Sequence, residues 1–150
     1  MVKKLDENSL PPLLDHVGWR LWRVARQWKA EFEAAMRDAG HGWMTEARGA
    51  VIGHLRGGGI PQAELVAALG ISKQAVQQMV DELAAEGVVE RAANPADARG
   101  KIVRFTPKGA EALAISNAVK QRIEESYRDR LGAERFAALR GALQELDTEG

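Results

Sequence analysis

Three glutamines stand close together at Gln74, Gln77 and Gln78, with Ser72 and Lys73 just ahead of them. A glutamine carboxamide can pair with N6 and N7 of adenine, and a lysine ammonium can reach guanine O6 and N7 or a phosphate. At helical spacing these five side chains face outward, while Val76, Met79, Val80 and Leu83 face inward, and no acid intrudes until Asp81. From Ala98 to Lys108 the chain then carries Arg99, Lys101, Arg104 and Lys108 and no acid. An arginine on a β-ribbon tip suits a narrow minor groove, where negative potential concentrates. Asp97, two residues before Arg99, is placed to orient that guanidinium by paired hydrogen bonds. Base-edge hydrogen bonding beside a local positive charge is the chemistry of nucleic-acid recognition.

A second acid-free window interleaves Arg20, Arg23, Arg26 and Lys29 with Trp19, Trp22 and Trp28. Indole faces and guanidinium groups can hold an anionic ring by stacking and bidentate pairing. Trp19, Arg20 and Arg23 are therefore candidate ligand contacts, with His54 as a candidate hydrogen-bond donor. His16, His41 and His54 lie far apart without a ligand-spaced carboxylate pair, which argues against a metal site. There is no nucleophile elbow, phosphate loop or zinc motif, so no catalytic residue, enzyme activity or cofactor is expected.

These side chains need elements to place them. Apolar residues at Leu14, Val17, Leu21, Ala25, Trp28, Phe32 and Ala35 predict a helix from about Leu13 to Arg37, with Pro11 and Pro12 at its start. Its surplus apolar surface, with Trp19 and Trp22 beside the stripe, points to a partner outside the monomer core. Thr45 should cap a second helix that carries Ala47, Ala50, Val51, His54 and Leu55 and stops at Gly57-Gly58-Gly59. A third helix is expected over Pro61–Leu69 and a fourth from the Ser72 cap to about Glu86. The turn glycine Gly70, with Val66, Ile71, Val76 and Met79 holding the angle, makes the pair a helix-turn-helix. Val88–Arg91 and Lys101–Phe105 read as a hairpin around a loop from Ala92 to Gly100. Thr106 caps a long helix (Ala110, Leu113, Ala114, Ala118, Val119, Ile123, Tyr127), and after Gly132 a last helix aligns Phe136, Leu139, Leu143 and Leu146.

Length and composition set outer bounds. The 150 residues are 45% apolar, enough for one globular domain, and the absence of cysteine excludes disulfides and thiolate chemistry. No run of about 18 apolar residues and no signal-type segment is present. A soluble, cytoplasmic protein with no membrane partner is expected. Twenty-one bases balance 21 acids, so net charge is zero. Residues 60–105 hold five bases and six acids, yet Glu64, Asp81, Glu82, Glu86 and Glu90 fall mostly off the proposed contact surface. Neutrality thus implies a modest phosphate contribution rather than excluding DNA.

The stretch Gln62–Leu83, followed by Glu86-Gly-Val-Val-Glu-Arg91 and Asn94–Gly109, with its Asp-x-Arg wing signature and Thr-x-x-Gly helix start, resembles the multiple-antibiotic-resistance regulator (MarR) family of winged helix-turn-helix transcription factors. Ala98 occupies the middle place of the wing signature, where many members carry a base. The resemblance implies a mainly α fold with a small β-hairpin wing, forming one domain over 1–150. Within it, 45–105 would be the winged helix-turn-helix lobe, and 13–38 and 107–147 the dimerisation helices. It implies an obligate homodimer on a palindromic double-stranded operator, with Ser72, Lys73, Gln74, Gln77 and Gln78 in the major groove and Arg99 in the minor groove. A small-molecule effector, often an aromatic acid or phenol, would bind between the dimer helices and the DNA-binding lobe. The expected function is a dimeric, sequence-specific DNA-binding transcriptional regulator, a repressor released by a small aromatic or anionic ligand. A winged-helix protein-interaction module without DNA binding is the competing reading, distinguished by retention on heparin at low salt.

Overall fold

The computed structural model describes residue 6 and residues 9–148. Six helices and a three-stranded antiparallel sheet follow in the order α1 (Val17–Asp38), α2 (Glu46–His54), β1 (Ile60–Pro61), α3 (Gln62–Leu69), α4 (Lys73–Ala85), β2 (Val89–Asn94), β3 (Asp97–Phe105), α5 (Pro107–Leu131) and α6 (Ala133–Leu146). Strand order is β1-β3-β2. Among the described residues no helix is long and apolar enough to cross a membrane.

The first helix starts four residues later than its apolar stripe predicts. His16 is its N-cap, with Nδ1 accepting from the Trp19 amide at 3.3 Å, and Asp15 pairs with Arg20 at 2.5 Å. The His16 ring satisfies one free first-turn amide, and Pro11–Leu14 stay outside the helix. Only Trp28, Phe32, Ala35 and Met36 of α1 pack on the core, while Val17 is 72% exposed.

The helix-turn-helix forms where expected. Gly70 adopts φ 62°, the left-handed geometry that an L side chain resists, and Ser72 Oγ accepts from the Ala75 amide at 3.1 Å to cap α4. Leu65, Val76, Val80 and Leu83 are fully buried between α3, α4 and their neighbours, each contributing roughly 1.5–3 kcal/mol of transfer free energy. Ile71, expected to hold the inter-helix angle, lies in the turn between the helices and is instead 42% exposed. On α2 the inner face is Val51, Ile52 and Leu55, whereas Ala47 and Ala50 are exposed.

The hairpin is longer and its tip tighter than the sequence suggests. Ala92 pairs with Ile102 and Ala93 with Lys101, so only Pro95 and Ala96 lie between the strands. Asn94 Oδ1 accepts from the Ala96 amide at 3.0 Å and Asp97 Oδ1 from the Arg99 amide at 2.9 Å. Such local side-chain bonds close a turn that would otherwise be loop. The two-residue β1, absent from the sequence reading, adds to β3 through Ile60–Val103 and Pro61–Ile102 pairing.

A compact junction fixes the wing to the long helix. Thr106 Oγ1 accepts from the Gly109 amide at 3.1 Å and donates to the Gly87 carbonyl at 2.5 Å. A Cβ on Gly109 would run into the Val88 carbonyl, so the Thr-x-x-Gly pattern has a packing cause. This cap sets the phase of α5, which buries Ala112, Ser116, Val119 and Ile123 and leaves Ala110, Ala114 and Ala118 exposed, contrary to the expected stripe. On α6 only Phe136 is buried; Leu139, Leu143 and Leu146 are exposed.

Candidate nucleic-acid interface and a cavity between helices

Ser72, Lys73, Gln74, Gln77 and Gln78 are all exposed, on the side of α4 opposite Val76, Val80 and Leu83. Their situations differ. Lys73 and Gln74 make no side-chain hydrogen bond or ion pair with the described residues, while Ser72 is committed to capping. Gln77 and Gln78 each sit at the end of a polar network.

The Gln77 network joins three elements. Gln62 Nε2, at the start of α3, donates to Gln77 Oε1 at 2.7 Å, and Gln62 Oε1 accepts from Arg91 Nε at 2.9 Å. Arg91, on β2, pairs with Asp81 Oδ1 at 2.7 Å and directs a second nitrogen to the Gln77 carbonyl at 3.5 Å. Gln77 Nε2 lies 3.4 and 3.5 Å from the two Asp81 oxygens. In the second network Arg48 of α2 binds Glu82 Oε2 through Nε and a terminal nitrogen, at 2.9 and 2.6 Å, and donates to the Trp43 carbonyl at 3.2 Å. Gln78 Nε2 donates to the other Glu82 oxygen at 3.2 Å. Hydrogen bonds from Arg48 and then Gln78 hold the Glu82 carboxyl below the ordinary glutamate range.

On the wing, the expected Asp97–Arg99 side-chain pair does not form. The Asp97 carboxylate is taken by the Arg99 backbone amide, because two residues' spacing matches that local turn and not the long guanidinium. The Arg99 and Lys101 side chains are exposed and carry no hydrogen bond or ion pair among the described residues. The other two bases of the acid-free window are committed. Arg104 Nε meets Glu90 Oε1 at 2.8 Å across the strands, and Lys108 Nζ donates to the Glu86 carbonyl at 2.7 Å, at the end of α4. Among the described residues, two of the four, Arg99 and Lys101, therefore remain free.

A cavity of about 850 Å³ lies between α1, α2 and α5, within the size range of small-molecule sites. Trp28 and Phe32 stack along one wall with centroids 5.3 Å apart, and Lys120 sits 5.7 Å from the Phe32 ring. Arg26, Lys29, Met44 and Thr45 also line it. The structure does not bring Trp19, Arg20, Arg23 and His54 together here. Trp19 stacks on Trp22 at 4.8 Å and lines, with Arg23, a separate groove on α1. Arg20 is paired with Asp15, and the His54 ring bonds the Ala50 carbonyl at 2.7 Å. Among the described residues no group of three His, Asp or Glu could hold a metal ion.

Sequence reasoning missed Arg48, Gln62 and Arg91 as companions of the glutamine face. Their partners lie 34, 15 and 10 residues away, and no local pattern marks such pairs.

Residues 44–100 match the sequence model of the MarR family. A Thauera aromatica protein named for transcriptional regulation of the hcr operon is 27% identical over 59% of this chain and 53% of its own length. The multiple antibiotic resistance protein MarR of Salmonella typhimurium is 42% identical over 35% of this chain and 37% of its own. The matches thus span about half or less of these curated relatives' length. Crystal structures of an Escherichia coli MarR mutant superpose along most of the chain. One has TM-score 0.69 at 25% identity, covering 90% of this chain and 98% of that one. The form complexed with operator DNA has TM-score 0.67 at 26% identity, covering 87% and 92%.

Proposed function

We propose, from the premise that this chain belongs to the MarR family of transcriptional regulators with a DNA-binding winged-helix fold, that it is a homodimeric, sequence-specific repressor released from a palindromic operator by a small aromatic or anionic ligand. The observation that carries the reading is the set of unpartnered polar groups on exposed elements: Lys73 and Gln74 at the start of α4, Arg99 and Lys101 on the wing. An ammonium and a carboxamide on a recognition helix suit base edges and phosphates in a major groove, and a wing arginine suits a minor groove. Ser72, Gln77 and Gln78 complete the helix face; Asp97 serves by shaping the turn that presents Arg99. Operator DNA bound to the similar E. coli protein supports the same mode here.

Residues 13–38 and 107–147 supply the dimer contact. Val17, Leu21, Trp19 and Val24 of α1 and Leu139, Leu143 and Leu146 of α6 are exposed apolar side chains that a lone chain would leave in water. Residues 45–105 form the DNA-binding lobe. The cavity receives the effector: its aromatic wall and the cations Arg26 and Lys120 suit an aromatic anion. Thr45 and Gly49 line it on either side of Arg48, whose bond to Glu82 reaches the recognition helix. A ligand that moves α2 would thereby change how α4 is presented, shifting the population away from the DNA-competent dimer.

Selection of genomic fragments by the purified protein tests the reading. Recurrent enrichment of a palindrome is expected. Failure to enrich any sequence, together with elution from heparin at low salt, would favour a protein-interaction module instead.

A further inference from the structure

We infer that Gln77 is a base-reading residue whose carboxamide is set before DNA arrives, and that Gln62, Asp81 and Arg91 are positioning residues that fix which way it faces. The inference rests on the DNA-binding reading above and goes beyond it, since Gln62, Asp81 and Arg91 are not contacts but the cause of a contact's polarity.

A solvated glutamine can exchange its oxygen and nitrogen by half a turn about its last torsion, which is broad and roughly two-fold. Adenine readout needs one arrangement only, an oxygen toward N6 and an N–H toward N7. The Gln77 network removes that freedom. Arg91 has donors and no acceptor, and the Asp81 carboxylate has acceptors and no donor, so neither can be reversed. Arg91 Nε therefore requires the oxygen of Gln62, 2.9 Å away. That leaves Gln62 Nε2 facing Gln77, 2.7 Å away, where only an oxygen can accept it. The remaining Gln77 nitrogen points to Asp81, 3.4–3.5 Å from both its oxygens. Turning Gln77 over would set donor against donor at Gln62 and oxygen against carboxylate at Asp81. Each polar atom of Gln77 still keeps a second hydrogen-bonding position, because an amide oxygen has two lone pairs and the nitrogen two hydrogens. Gln74, one helical turn earlier and without such partners, stays free to turn.

The discriminating variant is Gln62→Glu. A carboxylate at 62 still accepts from Arg91, so the brace between α3, α4 and β2 survives. It cannot donate to the Gln77 oxygen, so the polarity of Gln77 is no longer imposed. The full-length wild type, Gln77→Ala and Gln62→Glu would each be selected against a fully randomised duplex library and sequenced, with urea midpoints measured alongside. Gln77→Ala is expected to abolish an adenine preference at one position of each half-site. Gln62→Glu is expected to weaken that same preference by about 5-fold or more, the lower bound for one bidentate contact. Its other positions and its urea midpoint should stay as in the wild type. Wild-type preference at every position in Gln62→Glu overturns the inference, as does no positional change in Gln77→Ala. A parallel loss at all positions with a lowered midpoint would show a purely structural brace and also overturns it. If the wild type enriches no sequence, the DNA-binding reading itself falls, a result distinct from these.

Discussion

Deleting a wing cation should change DNA binding only where that cation is free, and the structure separates the two kinds. Arg104 is held by Glu90 at 2.8 Å, so removing both as Glu90→Ala/Arg104→Ala leaves the local charge balance untouched. Arg99 and Lys101 have no such partner among the described residues. Each phosphate neutralised lowers the slope of log K against log salt by about 0.9. With Lys73, Arg99 and Lys101 acting in both halves of a dimer, the wild-type slope should be roughly −5. Affinity would then fall about 10³-fold between about 50 and 200 mM salt. Arg99→Ala/Lys101→Ala removes four of those contacts per dimer, leaving a slope of roughly −2 and a fall of only about 10-fold over the same interval. Glu90→Ala/Arg104→Ala should keep the wild-type slope. Fluorescence anisotropy of a labelled duplex carrying the selected sequence, titrated at several KCl concentrations, measures all three. The reasoning is refuted if the neutral-pair deletion flattens the slope as much as the Arg99/Lys101 deletion does, or if the latter leaves it near −5.

Further outcomes follow from the same contacts. Gly109→Ala should cost about 2–3 kcal/mol, because the added carbon meets the Val88 carbonyl, and Thr106→Val about 1–2 kcal/mol through its two lost hydrogen bonds; urea unfolding reads both. Leu143→Glu should turn a dimer into a monomer in light scattering with unchanged helical circular dichroism, since a charge buried in an apolar contact costs about 3–5 kcal/mol. Because Glu82 titrates below its ordinary value when folded, its contribution to stability is present above that value and lost as pH falls through the folded one. Glu82→Gln should therefore flatten the acid side of the urea midpoint–pH curve while leaving its neutral-to-alkaline shape alone; an unchanged acid side would remove Glu82 from the linkage.

Local chemistry was readable from the chain. Ser72, Gly70 and Thr106 act on amides and torsions within three residues of themselves, so their types and spacing suffice to place the helix-turn-helix and the start of α5. The outward set from Lys73 to Gln78 follows from the apolar period of Val76, Val80 and Leu83. What was not readable depends on residues brought together by folding. Arg104 and Lys108 look like free bases in an acid-free window, but Glu90 reaches one across the sheet and the end of α4 takes the other. The Asp97–Arg99 pair failed because a backbone amide lay nearer than the guanidinium. The spacing of Trp19, Arg20 and Arg23 groups them on one helix, whereas the cavity is built from three helices and takes Trp22, Arg26, Trp28 and Phe32, not those three, from α1. The zero net charge was silent on all of this, since charge on a binding face depends on which cations are already paired.

The most direct test of sequence-specific recognition by the α4 face is the ratio of dissociation constants for the selected duplex and for a base-composition-matched scramble, measured at about 150 mM salt. A ratio of about 10³ or more is expected, with the larger part of it lost in Lys73→Ala/Gln74→Ala. Equal affinity for the two duplexes would contradict sequence-specific recognition, whatever the strength of binding.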